Sequence, residues 1–166
     1  MIKIRQLLKE SSLVNKAREF ATAEHAGVKR FRSNKDYISH PSLVYRMAKK
    51  LGLSEEEQIV AYLHDTYEDS NHKEETLKNI REIFGSKITE MVLLITHEKS
   101  QDYPSYVLGI AKKNKAVLRV KILDMYSNLI DNPTPMQKEK YIGTMKHLIQ
   151  QGVNEPLIGK ILNRLK

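Results

Sequence analysis

The sequence contains no cysteine, which excludes disulfide frameworks and thiolate metal sites alike. Any metal would have to rest on imidazole and carboxylate. Chain breakers are scarce: seven glycines and five prolines punctuate 166 residues, and the segments between them repeat apolar residues at three-to-four spacing, which argues for helices almost throughout. No strand pattern stands out. No apolar run approaches the roughly 20 residues that a bilayer span requires. The opening stretch, MIKIRQLLKESSLVNKAREF, is broken by charges too often to form a signal-peptide core. A soluble, cytoplasmic, all-α protein with no membrane partner is therefore expected.

A length of 166 residues with 40% hydrophobic content suits one domain over 1–166, able to bury a core without cross-links. Twenty-eight Lys plus Arg against 20 Asp plus Glu leave a net charge of +8. That balance suits an anionic partner, a nucleotide or a nucleic-acid backbone, although it also serves solubility. Leu13, Ala17, Phe20 and Ala21 outline a first helix running out near Gly27, and Val28 to Ser39 reads as a polar, basic loop. Pro41 can open a second helix that ends at Gly52. Ser54 and Glu57 form a capping-box pattern that launches a third, into His64 and Asp65. Helices are further expected over Glu74–Phe84, Lys87–Thr96, Tyr103–Lys113 and Ala116–Ile130, and after the break at Asn132, Pro133 and Pro135, over Met136–Gln150 and Pro156–Leu165.

Ligand-type residues stand where a helical core would ordinarily be apolar. His64 and Asp65 end an apolar run, and Glu68 follows four residues after His64, so that in a continuing helix all three side chains project toward one region. Asp124 is embedded in Val120-Lys121-Ile122-Leu123-Asp124-Met125, where a lone carboxylate is expensive unless paired or bound to a cation. The plain alternative is an ion pair to Arg119 or Lys121. Imidazole and carboxylate donors together suit manganese, iron or zinc, and such an ion polarises a phosphoryl oxygen and acidifies a water. Glu68 and Asp69, adjacent in HDTYED, are placed to orient or deprotonate that water or to protonate a leaving oxygen.

Three separated words occur in order: Tyr37-Ile38-Ser39-His40-Pro41, then Tyr62-Leu63-His64-Asp65-Thr66-Tyr67-Glu68-Asp69-Ser70, then Lys121-Ile122-Leu123-Asp124 with Asn128. Together they resemble the H…HD…D signature of HD-superfamily hydrolases. The flanking residues are most similar to the hydrolase domains of RelA/SpoT proteins and to small alarmone hydrolases, from about Ala17 to Leu129. The resemblance implies an HD-domain bundle of about ten helices and a mononuclear manganese site made by His40, His64, Asp65 and Asp124. It implies hydrolysis of guanosine tetra- or pentaphosphate at the 3′-pyrophosphate, without synthesis, since the chain ends before a synthetase or regulatory domain would begin. Carried over position by position, Glu68 and Asp69 handle the attacking water, Asn128 binds the nucleoside, and Arg30 or Arg32 holds phosphate or covers the base. Lys121 belongs to the same word as Asp124, and Lys99 is a candidate for phosphate. His25 is assigned a structural role, and the spacing of His72 and His97 is not that of a second metal site. Two other readings compete: a nucleotidase or phosphodiesterase acting on another nucleotide, and an inactive basic module binding nucleic acid or protein.

Overall fold

The computed structural model describes residues 2–31 and 33–165, with side chains described from Leu13 onward. The chain divides by its internal packing into two units, Met1–Thr96 and His97–Lys166. Among the described residues all regular structure is helical, and the one β-bridge is an isolated pairing of Lys29 with Asp36. Among the described residues no helix is long and apolar enough to cross a membrane.

The first unit carries α1 (Ile2–Glu24), α2 (Ser39–Lys50), α3 (Glu55–Leu63), α4 (Thr66–Asp69) and α5 (Lys73–Ile95). Helix α3 packs against α1, α2 and α5, and Ile59 to Leu63 are all buried. Small side chains permit that approach: Ala17 and Ala21, one turn apart on α1, and Ala48 on α2 are fully buried. The expected capping box is formed. Ser54 Oγ accepts from the Glu57 amide, and the Glu57 carboxylate accepts from the Ser54 amide at 2.9 Å. This satisfies two of the amides that a helix start leaves without partners. Helix α2 begins two residues before Pro41, which sits in its first turn, where a missing N–H costs nothing. Gly27 and Gly52 take positive φ just beyond α1 and α2, the left-handed stop that glycine permits. Gly85, at φ 84° and ψ 173°, interrupts α5. Its two arms correspond to the two helices expected on either side of that glycine.

The second unit carries α6 (Tyr103–Lys113), α7 (Lys115–Ile130), α8 (Pro135–Gln150) and α9 (Pro156–Arg164). Helix α7 packs against the other three, which is why its sequence is apolar on nearly every side. Val117, Leu118, Val120, Ile122, Leu123 and Met125 are all buried. Asn114 ends α6 and begins α7, its Oδ1 accepting from the amides of Ala116 and Val117. Thr134 and Gln137 form a second capping box behind Pro135 at the start of α8.

Candidate metal centre

Three ligand-type side chains of the first unit meet at one point. His40 comes from the first turn of α2, His64 from the residue that closes α3, and Asp65 from the link into α4. His40 Nε2 lies 3.1 Å from His64 Nε2. Asp65 Oδ2 lies 3.0 Å from His64 Nε2 and 3.5 Å from His40 Nε2. Both histidines are buried, and Asp65 is half-buried. Donor atoms bound to one cation at about 2.0–2.2 Å stand roughly 3.0–3.5 Å apart in octahedral or tetrahedral arrangements. The observed spacings fall in that interval.

The histidine tautomer supports the same reading. His64 Nδ1 lies 2.8 Å from the Ala61 carbonyl, and because a carbonyl only accepts, Nδ1 carries the proton. In the neutral ring, Nε2 then presents a lone pair to the centre, the arrangement by which backbone groups orient metal-binding histidines. Among the described residues this is the group of His, Asp and Glu whose donor atoms converge closely enough to hold an ion. His72 caps the start of α5 without a side-chain bond, and His97 Nε2 lies 2.8 Å from the Gln101 carbonyl. Neither joins that group.

One expectation needs correcting. Helix α3 does not continue through Glu68; it ends at Leu63, His64 and Asp65 form a turn, and the short α4 restarts at Thr66. The turn is tied by Thr66 Oγ1 donating to the Leu63 carbonyl at 2.7 Å and by the Asp69 amide donating to the Asp65 carbonyl at 2.9 Å. His64 and Asp65 nonetheless keep right-handed helical backbone angles through the turn. Glu68 is half-buried and Asp69 reaches solvent. The Asp69 carboxyl is nonetheless pushed up to about 6, first by partial burial and next by the charge of Asp65, against a hydrogen bond from Tyr37.

Tyr37 was legible only as part of a word, yet its hydroxyl donates to Asp65 Oδ2 at 2.8 Å. The basic loop before it is held by the Lys29–Asp36 pairing and by the Arg30 amide donating to the Lys35 carbonyl. The Arg30 guanidinium lies 5.7 Å from the centre of the Tyr37 ring. His25 is 5% exposed, stacks on Tyr37 at 4.5 Å between ring centres, and has its pKa lowered by burial. Arg32 lies outside the described residues.

In the second unit, Asp124 and Lys121 are an ion pair at 2.9 Å with side chains 7% exposed. Of the two basic neighbours considered from the sequence, Lys121 is thus a partner at contact distance. The Asn128 amide donates to Asp124 Oδ1 at 2.8 Å. Lys121, Asp124 and Asn128 therefore form one connected polar group on α7. Its Lys121 ammonium also stands over Tyr103 and Tyr106, at 5.7 and 5.6 Å from the ring centres. Lys99 lies on an exposed turn before α6.

The family model described as "HD domain" matches residues 17–125, a span that contains His40, His64, Asp65 and Asp124. The chain belongs to the HD-domain family. This HD-domain chain is 31% identical over 124 residues to a guanosine-3′,5′-bis(diphosphate) 3′-pyrophosphohydrolase of Aquifex aeolicus, a match covering 70% of this chain and 17% of that protein. It is 37% identical over 109 residues to a probable GTP pyrophosphokinase of Mycobacterium leprae, covering 66% of this chain and 13% of that one. The chain thus spans less than a fifth of the length of these curated relatives. A solved metazoan ortholog of SpoT, described as hydrolysing ppGpp, superposes with a TM-score of 0.73 at 20% identity, over 92% of this chain and 94% of that one. That likeness establishes the HD-type helical fold.

Proposed function

We propose that this HD-domain protein hydrolyses guanosine tetra- or pentaphosphate at the 3′-pyrophosphate, in the cytoplasm, releasing pyrophosphate and leaving GDP or GTP. The observation that carries the reading is the convergence of His40 Nε2, His64 Nε2 and Asp65 Oδ2 within 3.0–3.5 Å. It occurs in a chain whose 31%-identical relative bears the name of that activity. Asp124 is the proposed fourth ligand and manganese the proposed ion, with iron or zinc acceptable to the same donor set. When bound, the cation supplies Lewis-acid polarisation of a phosphoryl oxygen and acidification of water.

The protein's own residues then divide the remaining work. Glu68 and Asp69 lie within one turn after Asp65. Asp69, with its carboxyl pushed up to about 6 by burial and by Asp65, holds a proton at higher pH than an ordinary aspartate does. It is suited to taking a proton from the attacking water or returning one to the leaving oxygen. Glu68 orients the water. Arg30 is supported by the Tyr37 ring and is assigned to the base or a phosphate, with Arg32 as its companion. Asn128 is assigned to the nucleoside, and Lys121 and Lys99 to phosphate oxygens, where ammonium groups neutralise charge without rigid geometry.

The variants His64→Ala, Asp124→Ala and Glu68→Ala test the assignment. The first two are expected to lose bound manganese, measured by elemental analysis after gel filtration. Glu68→Ala is expected to keep the metal and lose turnover. Equal activity in all three would refute the division of roles.

A further inference from the structure

We infer that Tyr37 is a positioning residue for the cation site, whose hydroxyl sets the Asp65 carboxylate in the orientation that faces His40 and His64. The inference rests on the metal reading above and adds to it a residue that acts through a ligand, Asp65.

The backbone brings Tyr37 there by short-range bonds. Its amide donates to the Val28 carbonyl at 2.9 Å, closing the basic loop, and its carbonyl accepts from the His40 amide at 2.9 Å as α2 begins. One ligand of the centre and the phenol are thereby fixed to the same turn. The phenol in turn reaches a second ligand, 28 residues away in sequence. Tyr37 Oη is 2.8 Å from Asp65 Oδ2, the same oxygen that lies 3.0 Å from His64 Nε2 and 3.5 Å from His40 Nε2.

An aspartate carboxylate turns freely about its last torsion unless a partner holds it, because that sp³–sp² torsion has only broad, shallow wells. A hydrogen bond to an ionised group contributes about 1.5–3 kcal/mol, enough to select one orientation. Because the bonded oxygen has a second lone pair, accepting from the phenol leaves a lone pair for a cation.

The ring is held as firmly as the hydroxyl. His25 stacks on it at 4.5 Å with planes 31° apart, the His40 ring meets it edge-on at 6.1 Å, and the Arg30 guanidinium stands 5.7 Å from its centre. His25 Nε2 is buried with no hydrogen-bond partner, so in this structure the imidazole contributes its flat face. Tyr37 thus connects the basic loop, α2 and the turn that carries Asp65. Partners of this kind behind a metal ligand typically change affinity 10- to 100-fold when removed.

Tyr37→Phe removes the one oxygen and keeps the ring. Manganese affinity of the full chain, measured by titration with free Mn²⁺ followed by its electron paramagnetic resonance signal, is expected to weaken about 10- to 100-fold. The helical circular dichroism signal should stay unchanged, and because the phenol also reaches the Asp69 carboxyl, it is the Mn²⁺ affinity and not kcat that reads the positioning role. Affinity within twofold of wild type would overturn the inference alone. A variant without its helical signal would assign the hydroxyl to folding and overturn the positioning role. A wild-type chain that binds no Mn²⁺ would overturn the metal reading and this inference together.

Discussion

Replacing Lys121 with Met should destabilise the metal-free protein by about 3 kcal/mol at pH 7. The Lys121 ammonium lies 2.9 Å from Asp124 Oδ2, and both side chains are 7% exposed. Methionine retains the apolar stem and deletes the charge, so the change isolates what happens to Asp124. Removing one partner of a buried pair generally costs about 3–5 kcal/mol because the other charge is left uncompensated. Two features limit the loss here. Asn128 still donates to Asp124 Oδ1 at 2.8 Å, and the carboxyl can take up a proton, which from an ordinary value near 3.9 costs about 4 kcal/mol at pH 7. The variant leaves the buried Asp124 carboxylate without its cation, which disfavours the charged form. Its stability deficit should therefore be small below about pH 4 and grow as pH rises toward 7. Urea unfolding of both chains in chelator, at pH 4.5 and at pH 7, measures this directly. If Asp124 is a metal ligand as proposed, added Mn²⁺ should restore the variant by more than it stabilises wild type, since the cation would replace the lost ammonium. A deficit below about 1 kcal/mol at pH 7, or one that grows on acidification, would refute the reasoning.

Further expectations concern the first unit. Gly85→Ala forces a side chain onto a residue at φ 84°, although nothing lies within 4 Å of the new methyl; the loss should be about 1–2 kcal/mol, all of it backbone strain, and a neutral result in urea unfolding would contradict it. The Glu57→Ala change removes half of the capping box that starts α3 and should cost about 1 kcal/mol, read from the same unfolding curves. The Asp69 carboxyl is pushed up to about 6, chiefly by burial, so its favourable contribution is present below about pH 4 and lost as pH climbs through 6. The melting temperature of metal-free wild type relative to Asp69→Asn should fall over that window and then level off, modestly because the side chain reaches solvent. A difference independent of pH would remove Asp69 as the titrating group.

Features encoded over a few residues could be read from the sequence. The Ser54–Glu57 box, the break at Gly85 and the bounds of α6 depend on local capping and backbone freedom, which neighbouring residues largely decide. His64 and Asp65 stand out because they end an apolar run, whereas His40 is marked only by the resemblance to a known signature. Less legible is where α3 stops: it ends at Leu63, and His64 and Asp65 form the turn before α4. Tyr37 escaped because its contact with Asp65 spans 28 residues and exists only after α2 and α3 pack. The choice of Lys121 as a partner of Asp124 likewise depended on rotamers within a buried helix face.

The most direct test of the account is pyrophosphate release from guanosine tetraphosphate by the purified chain with Mn²⁺, with GTP, GDP, a cyclic dinucleotide and a nucleoside monophosphate run in parallel. Mn²⁺-dependent release from the tetraphosphate, abolished by chelator and absent with the other nucleotides, is the predicted result. Turnover confined to another nucleotide would contradict the substrate assignment while keeping the metal chemistry, and no turnover of any of them would contradict the enzymatic reading itself.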